Sequence, residues 1–534
     1  MAILVFLVTE IPYRYADTHA PDGSRFIGQI AMGDDIASYY SFIYQAASGH
    51  WIFRNNMTHM DHSPVFVNVE WLVLGQCMEL FGWSSRTTFD VWRAVGALAL
   101  FAGFAFLMSL VLESRLQKIA ALLMCAFGGG FGWVLYLLSL RGIVDISTRL
   151  GLKNPAMDLI TPIHAFGQVM KNPHFSLPHG VFLVFIGLMV LAERSGKPRW
   201  YWSAAIVAAV HGLIRPYDLI SIWAFLPCFI VLEAFLARSW SIRKSLLRAL
   251  PLMVTAPLLL YYVYLFTFHP VFKFWASQGV APSIPTVWHL RAFGLAGVLC
   301  LYRLCRYRTY PLATTGDRLL VIWLLVVLFM FHAYKVLPFI PYSPQLGIPI
   351  VSAMIALGAR VFPPMPGSPR RIALLAGVTA FLVVNAFSTP IYVARARQDA
   401  ATNAQNYIRT KDLEAIDWLN ERIDENDLIV SDYPTGTKLA RFVGARVLLG
   451  HWALTPHRQE LSATVDGMLA GDMGPEEAAA FLEDVSATYL YVSPLKARAS
   501  QDYFASIPGL HAEFENDSVA IYRVNTETRP ARRP

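Results

Sequence analysis

The sequence predicts an α-helical polytopic membrane protein of about eleven transmembrane helices, with a small α/β extracytoplasmic domain at its C-terminal end. Three observations carry that expectation. The 534 residues are 55% hydrophobic and only 15% charged, where an ordinary soluble protein carries about 25% charged residues. Mean hydropathy is +0.43. Apolar runs long enough to cross a hydrocarbon core of about 30 Å recur through the first three quarters of the chain, with basic residues in alternate joints between them. Helix-length runs separated by Arg-rich or Pro-rich joints exclude the short alternating pattern of a membrane β-barrel.

The net charge of +7 does not indicate a nucleic-acid partner, because the basic residues concentrate in short loops where they act as topology signals. Cys77, Cys125, Cys228, Cys300 and Cys305 lie in or beside apolar segments at no metal-like spacing, so they read as small packing residues. The expected spans are about 1–13, 90–112, 118–140, 175–193, 200–215, 218–237, 246–268, 288–304, 318–335, 342–360 and 371–393. Basic clusters at Arg115/Lys118, Arg194/Lys197/Arg199, Arg238/Arg243/Lys244, Arg303/Arg306/Arg308 and Arg360/Arg370/Arg371 mark cytoplasmic joints. The N-terminus is then cytoplasmic, and the loops 14–89, 141–174 and 269–287 share the outer side with the tail. The opening MAILVFLVTEIPYRYA lacks the basic n-region and cleavage site of a signal peptide. It reads as a first membrane helix clipped by a late start site. VFVNVEWLVLGQCMELFG (65–82) contains Asn68, Glu70 and Glu79, and reads as a helix at the outer interface.

Composition divides the chain into a membrane domain over 1–394, a soluble α/β domain over 395–525 and a disordered tail over 526–534. Within the second, DLEAIDWLNERI reads as an amphipathic helix. DLIVSD, ARVLLGHW and ATYLYVSP read as short buried strands, and AEFENDSVAIYRV as a closing hairpin.

Chemistry gathers in the outer loops. The first holds Asp34 and Asp35, then Tyr39, Tyr40 and Tyr44, then His59, Asp61 and His62. Later loops and span ends bring His164, Lys171, His174 and His179, then His211, Arg215, Tyr217 and Asp218. His269 with Lys273, and His332, Tyr334 and Lys335, complete the set. Ionisable groups beside membrane spans are costly and are functional candidates by default. Either acid could take a proton from an attacking hydroxyl. The pair could instead hold a divalent cation, Mg or Mn, that neutralises a phosphate leaving group. Lys and Arg in the other loops could bind that phosphate. The alternative for Asp34 or Asp35 is a cap on a helix beginning near Ile36. For Arg215 it is a local ion pair with Asp218, after a helix that Pro216 ends. Irregularly spaced histidines in NPHFSLPHG argue against zinc. FGGGFGW (127–133) lacks a following Lys-Ser/Thr and reads as a close helix-packing surface. In GHWALTPHRQE, His451, Trp452, His457 and Arg458 fit a sugar-binding strand end or an ordinary turn with Thr455 as N-cap and Pro456 at N1.

The layout GDDIASYY, then GHWIFRNN…HSPVFVNVEWLVLG, after an apolar first span resembles the GT-C superfamily. These are integral-membrane glycosyltransferases that use polyprenyl-phosphate sugars, including protein mannosyltransferases and the aminoarabinose transferase that modifies lipid A. Recognisable sequence covers roughly residues 1–110. The resemblance implies a GT-C-like fold with a catalytic acid in the first outer loop, Asp34 or Asp35. Tyr39 fits the acid-acid-x-x-x-Tyr spacing counted from Asp35. An HPYD-like element of such relatives stands here as IRPYD, with Arg215 in place of His. The late loop PFIPYSPQ lacks an Arg pair for the donor phosphate, which leaves Arg215, Lys273 and Lys335, together with His62 and His174, as substrate-binding candidates.

The leading expectation is transfer of a sugar from a polyprenyl-phosphate donor to a lipid, glycan or protein acceptor, at the outer face of a bacterial inner membrane. A lipid-linked glycan transporter is disfavoured, because no convincing repeat relates the two halves and the polar residues gather on one face. A non-catalytic scaffold would tolerate loss of both Asp34 and Asp35.

Overall fold

A computed structural model describes residues 1–143, 163–278, 286–306, 312–333, 349–362, 376, 379–380, 383, 385–493 and 497–525. Tyr334, Lys335, part of the expected span 371–393 and the tail 526–534 lie outside the described residues. The chain forms two compact units. One comprises Met1–Arg14, Phe89–Tyr262 and Val280–Asp399, the other Tyr15–Thr88, Val263–Gly279 and Ala400–Pro534.

The first unit is helical and apolar. Among the described residues, Ser85–Val111, Pro173–Ser195, Pro216–Leu236, Ile242–Thr267 and Thr315–His332 are long and apolar enough to cross a membrane. The pair Arg115–Phe127 and Gly132–Leu140, bent by 42°, adds a sixth if it is one span. Helices also occupy the expected spans near the start and at 200–215, but Ala2–Thr18 and Pro198–Ile214 have only 17 residues each. Thr286–Cys305 is interrupted at Gly294, whose φ is 55°. Ile350–Val361 is a shorter apolar helix. The protein is therefore an integral membrane protein.

Close approach of backbones organises this unit. A Cβ on Gly103 would lie 2.2 Å from the Gly180 carbonyl oxygen, and one on Gly180 would lie 2.3 Å from that of Ala99. Gly96 against Ser176 and Gly187 against Phe106 extend the contact along the same two helices. Small residues let membrane helices meet this tightly where no hydrophobic driving force operates between them. The FGGGFGW run packs in the same way: Phe131 N–H donates to the Arg291 carbonyl at 2.9 Å, and a Cβ on Gly294 would collide with the Gly129 carbonyl. Asn385 Nδ2 and Thr389 Oγ1 donate to the carbonyls of Gly129 and Phe127, at 3.2 Å each, satisfying backbone that the break frees. Two groups of buried charges among the described residues are paired. Arg93 donates to Glu10 and Thr9 and stacks over Tyr13, while Arg248 and Arg318 share Glu233.

The second unit carries a five-stranded sheet. Preceding it are β1 (Ser24–Phe26) and β2 (Tyr407–Arg409), an antiparallel pair joining the first loop to the start of the C-terminal segment. The sheet itself comprises β3 (Leu428–Val430), β4 (Arg446–Val447), β5 (Tyr489–Val492), β6 (Leu510–Glu515) and β7 (Ala520–Val524). β3 is parallel to both β4 and β5, and the β6–β7 hairpin closes antiparallel onto β5. Leu428, Val430, Leu490 and Val492 alternate onto one face with the core residues Val465, Met468 and Leu482. The DLEAIDWLNERI segment forms the helix Thr410–Asn420.

Loop 15–88 is knitted into this unit. Arg441 donates to the Ile27 carbonyl at 2.7 Å and to Gln29. Arg54 Nη1 donates to Asn426 at 2.7 Å, His50 pairs with Glu425 at 2.7 Å, and Asn55 Nδ2 donates to the Leu454 carbonyl at 2.7 Å. The helix expected at 65–82 runs over Val69–Phe81, capped by Asn68 and closed by left-handed Gly82. Trp71 and Leu74 are buried on one side while Val73, Leu80 and Phe81 are exposed on the other.

Candidate active site

Asp34 and Asp35 lie in the first turn of the helix Gly33–Ala47. The reading that one of them caps a helix starting near Ile36 is corrected: the N-cap is Met32 at φ 57°, and it makes no side-chain capping bond. Both carboxylates lie at the positive end of the helix dipole, which favours negative charge, and their side chains are taken up by residues of the C-terminal segment.

Asp35 Oδ1 receives His451 Nε2 at 3.1 Å. The tautomer follows from the other ring nitrogen. His451 Nδ1 accepts the backbone N–H groups of Ala453 at 3.0 Å and Leu454 at 3.1 Å, so the ring proton resides on Nε2 and is donated to the carboxylate. Thr455 Oγ1 accepts from the backbone N–H groups of Gly450 and His451 and holds this turn closed. The helix that follows starts at Arg458, so Thr455 and Pro456 are not its N-cap and N1. The His451 side chain is only 4% exposed, whereas that of Asp35 is 27% exposed. Asp35 is thus oriented by a buried donor and still open to a ligand.

Asp34 Oδ2 receives the Tyr433 hydroxyl. Tyr433 opens the helix Tyr433–Phe442 directly after β3, where Asp432 caps the helix through Thr435 N–H. Burial first, and then the Asp34 carboxylate, push the Tyr433 phenol far above its usual range, so it stays a donor. Among the described residues Asp34 Oδ1 and Asp35 Oδ2 have no hydrogen-bond partner.

The other candidates differ in their surroundings. Tyr39 is buried and stacks on Trp71 with ring centroids 5.3 Å apart. His62 has both ring nitrogens engaged by its own loop: Nε2 accepts Asn55 N–H at 3.0 Å and Nδ1 donates to the Met60 carbonyl at 3.1 Å. Its ring lies 5.7 Å from that of His269. Lys273 is exposed on the short helix Phe272–Gln278, with Nζ 5.4 Å from the Phe274 ring. These three share the second unit with the acids.

His174 and Arg215 belong to the first unit. His174 lies in the first turn of Pro173–Ser195, where Asn172 accepts its backbone N–H. Arg215 separates the helices Pro198–Ile214 and Pro216–Leu236 and is 1% exposed. Its Nε lies 3.4 Å from Asp218 Oδ2, the oxygen that His211 Nε2 also meets at 2.9 Å. The local Arg215–Asp218 pair therefore exists, inside a buried cluster. His179 bridges Gln168 Oε1 and Ser352 Oγ in the same unit.

Tyr433 escaped the sequence reading, and His451 entered it only as a sugar surface or turn. Tyr433 immediately follows the predicted strand DLIVSD and His451 lies at the end of the predicted strand ARVLLGHW, and strand ends are where open α/β sheets place functional side chains. Among the described residues, no group of three or more His, Cys, Asp or Glu side chains is placed to hold a metal.

No protein-family model matches the sequence, and no curated protein matches it. The fold does have counterparts. ArnT from Cupriavidus metallidurans, solved bound to undecaprenyl phosphate, matches with a TM-score of 0.50 at 12% identity, over 97% of each chain. The oligosaccharyltransferase AglB from Archaeoglobus fulgidus, solved with an inhibitory peptide and a dolichol-phosphate, also gives 0.50 at 12% identity. That match covers 99% of this chain and 75% of the other. The chain thus resembles both of these proteins in fold.

Proposed function

We propose that this protein transfers a sugar from a polyprenyl-phosphate-linked donor to a hydroxyl or amine acceptor, with Asp35 as the general base. The observation that carries the reading is the His451–Asp35 hydrogen bond. It fixes one carboxylate oxygen with a donor whose tautomer is set by two backbone amides, and leaves Oδ2 to take the acceptor's proton. In the transfer, an acceptor oxygen or nitrogen attacks the anomeric carbon, the bond from that carbon to the phosphate oxygen breaks, and the acceptor's proton passes to Asp35. The phosphate leaves with its own negative charge, so the protein's further task is to position and neutralise it. Exposed Lys273, in the same unit as the acids, suits that task as a point charge, and Arg215 and Lys335 are the other candidates. The bilayer location accounts for a carrier with a long apolar tail. On this reading the N-terminus is cytoplasmic and the acids face the outer side of a bacterial inner membrane.

A divalent cation is proposed beside the acid pair. Mg²⁺ is commonly held by one or two carboxylates, with water and substrate phosphate filling the remaining positions. Asp34 Oδ1 would hold it, with Asp35 Oδ2 left to take the acceptor's proton, and when bound it would lower the charge on the departing phosphate.

The test uses purified protein in lipid nanodiscs with radiolabelled polyprenyl-phosphate sugars and membrane extract. Wild type is expected to move label to a new product. Asp35→Asn should lower the rate by about 10²- to 10⁴-fold, and Asp34→Asn by less. Chelation should slow wild type and added Mg²⁺ or Mn²⁺ restore it. Full activity in Asp35→Asn would sink the assignment, and indifference to chelation would remove the cation.

A further inference from the structure

The sheet of the second unit has a point at which its connections diverge. From the C-terminal end of β3 the chain turns through Tyr433–Phe442 to β4 on one side, and from the end of β5 it turns through Gln501–Ser506 to the β6–β7 hairpin on the other. In open α/β sheets such a reversal leaves a crevice beyond the carboxyl ends of the strands, where ligands bind. Here the crevice is a cavity of about 310 Å³, at the lower end of the range for small-molecule sites. Its polar lining includes Tyr491 and Ser493 at the end of β5, Thr435 after β3, Arg409 from β2, Asp412, and Lys438. Asp34, Asp35, Tyr433 and His451 do not line it.

Two atoms in that wall lack partners. Tyr491 is 2% exposed, and its hydroxyl has no hydrogen-bond partner among the described residues. Tyr491 alternates with Leu490 and Val492, whose side chains enter the core on the opposite face, so its ring lies on the cavity side. A buried phenol normally finds a partner. Arg409 is forked onto Asp412 through Nε at 3.0 Å and Nη2 at 2.7 Å, and Nη2 also reaches Ser493 Oγ at 3.2 Å. Its Nη1 has no partner among the described residues. Hydroxyls that both donate and accept thus stand beside a guanidinium already oriented by a carboxylate, and the lining carries two cations, Arg409 and Lys438, against one carboxylate.

We infer that this cavity binds a monosaccharide-sized, hydroxyl-bearing ligand carrying a negative charge, held by Tyr491, Ser493 and Arg409. A sugar carboxylate and a sugar phosphate present the same chemistry. The site is separate from the acid pair and holds whether or not the pair transfers a sugar.

The experiment is saturation-transfer-difference NMR on the full chain in nanodiscs, with methyl glucuronide, glucose 1-phosphate and methyl glucoside as probes. The anionic probes are expected to receive saturation and the neutral glucoside much less; whichever anion binds tighter identifies the charged group. Tyr491→Phe and Ser493→Ala should each weaken binding about five- to tenfold, with thermal unfolding unchanged in at least one of them. Asp35→Asn should bind as wild type does, which separates this site from the transfer reaction. Three outcomes would each overturn the proposal: no transfer to any probe, equal transfer to the neutral sugar, or unchanged affinity in both cavity variants.

Discussion

On the proposed reading His451 is a positioning residue, acting through its hydrogen bond to Asp35 without touching substrate. His451→Ala is expected to lower kcat about tenfold or more with little change in KM, since a transition-state interaction and not ground-state binding is lost. His451→Gln, which keeps an N–H donor at similar reach, should recover part of the rate; equal loss in both variants would reduce His451 to a packing role. Three histidines also predict a loss of stability on the acid side. Burial pushes the pKa values of His59, His62 and His269 below the ordinary value. Between those depressed values and about 6.5 the unfolded chain binds more protons than the folded one, so stability is full above about pH 6.5 and is lost as pH falls below it. Thermal unfolding in nanodiscs should show a lower midpoint at acid pH, with a shallower slope in His62→Gln; a midpoint indifferent to pH would refute this. At this scale the sequence was partly legible. Two adjacent carboxylates after a first apolar helix draw attention by themselves. The donors that orient them do not, because His451 lies 416 positions from Asp35 and its tautomer depends on a turn whose closure by Thr455 leaves no motif.

Helix-scale patterns were legible wherever hydropathy alone decided them. Strands in LIV and YLYV and the helices at 410–420 and 69–81 all follow from periodicity and caps. Breaks were harder to place. The three glycines at 128–130 suggested packing, but the matching irregularity at Gly294 lies more than 160 positions away, inside an apolar run with no local signal. Glycine substitutions test which backbone approaches matter. Gly180→Ala places a methyl against the Ala99 carbonyl and should destabilise by about 1–3 kcal/mol. Gly467→Ala, in the helix Arg458–Ala470 with nothing within 4 Å, should stabilise by about 0.5–1 kcal/mol. Thermal midpoints moving in the same direction for both would contradict the packing account.

At the scale of the whole molecule, composition distinguished an apolar helical part from a C-terminal part with short strands, but did not show that the second unit is assembled from 15–88, 263–279 and 400–534. That assembly rests on hydrogen bonds such as Arg441 to Ile27, Asn55 to Leu454 and β1 to β2, which hydropathy does not encode. A chain ending at residue 399 leaves Arg54, Asn55 and Gln29 without their partners. Size-exclusion chromatography of a fluorescent fusion should show it aggregated or absent; a monodisperse peak of wild-type yield would mean that loop 15–88 holds its shape alone. The same interleaving imposes a schedule on biosynthesis. At about 5–20 residues per second, a ribosome needs roughly 20–80 s to travel from Asp35 to His451. Throughout that interval the acids are already made and have neither His451 nor Tyr433 beside them. A nascent or prematurely terminated chain therefore carries the acid pair in an unassembled state until the last quarter of the polypeptide has been synthesised.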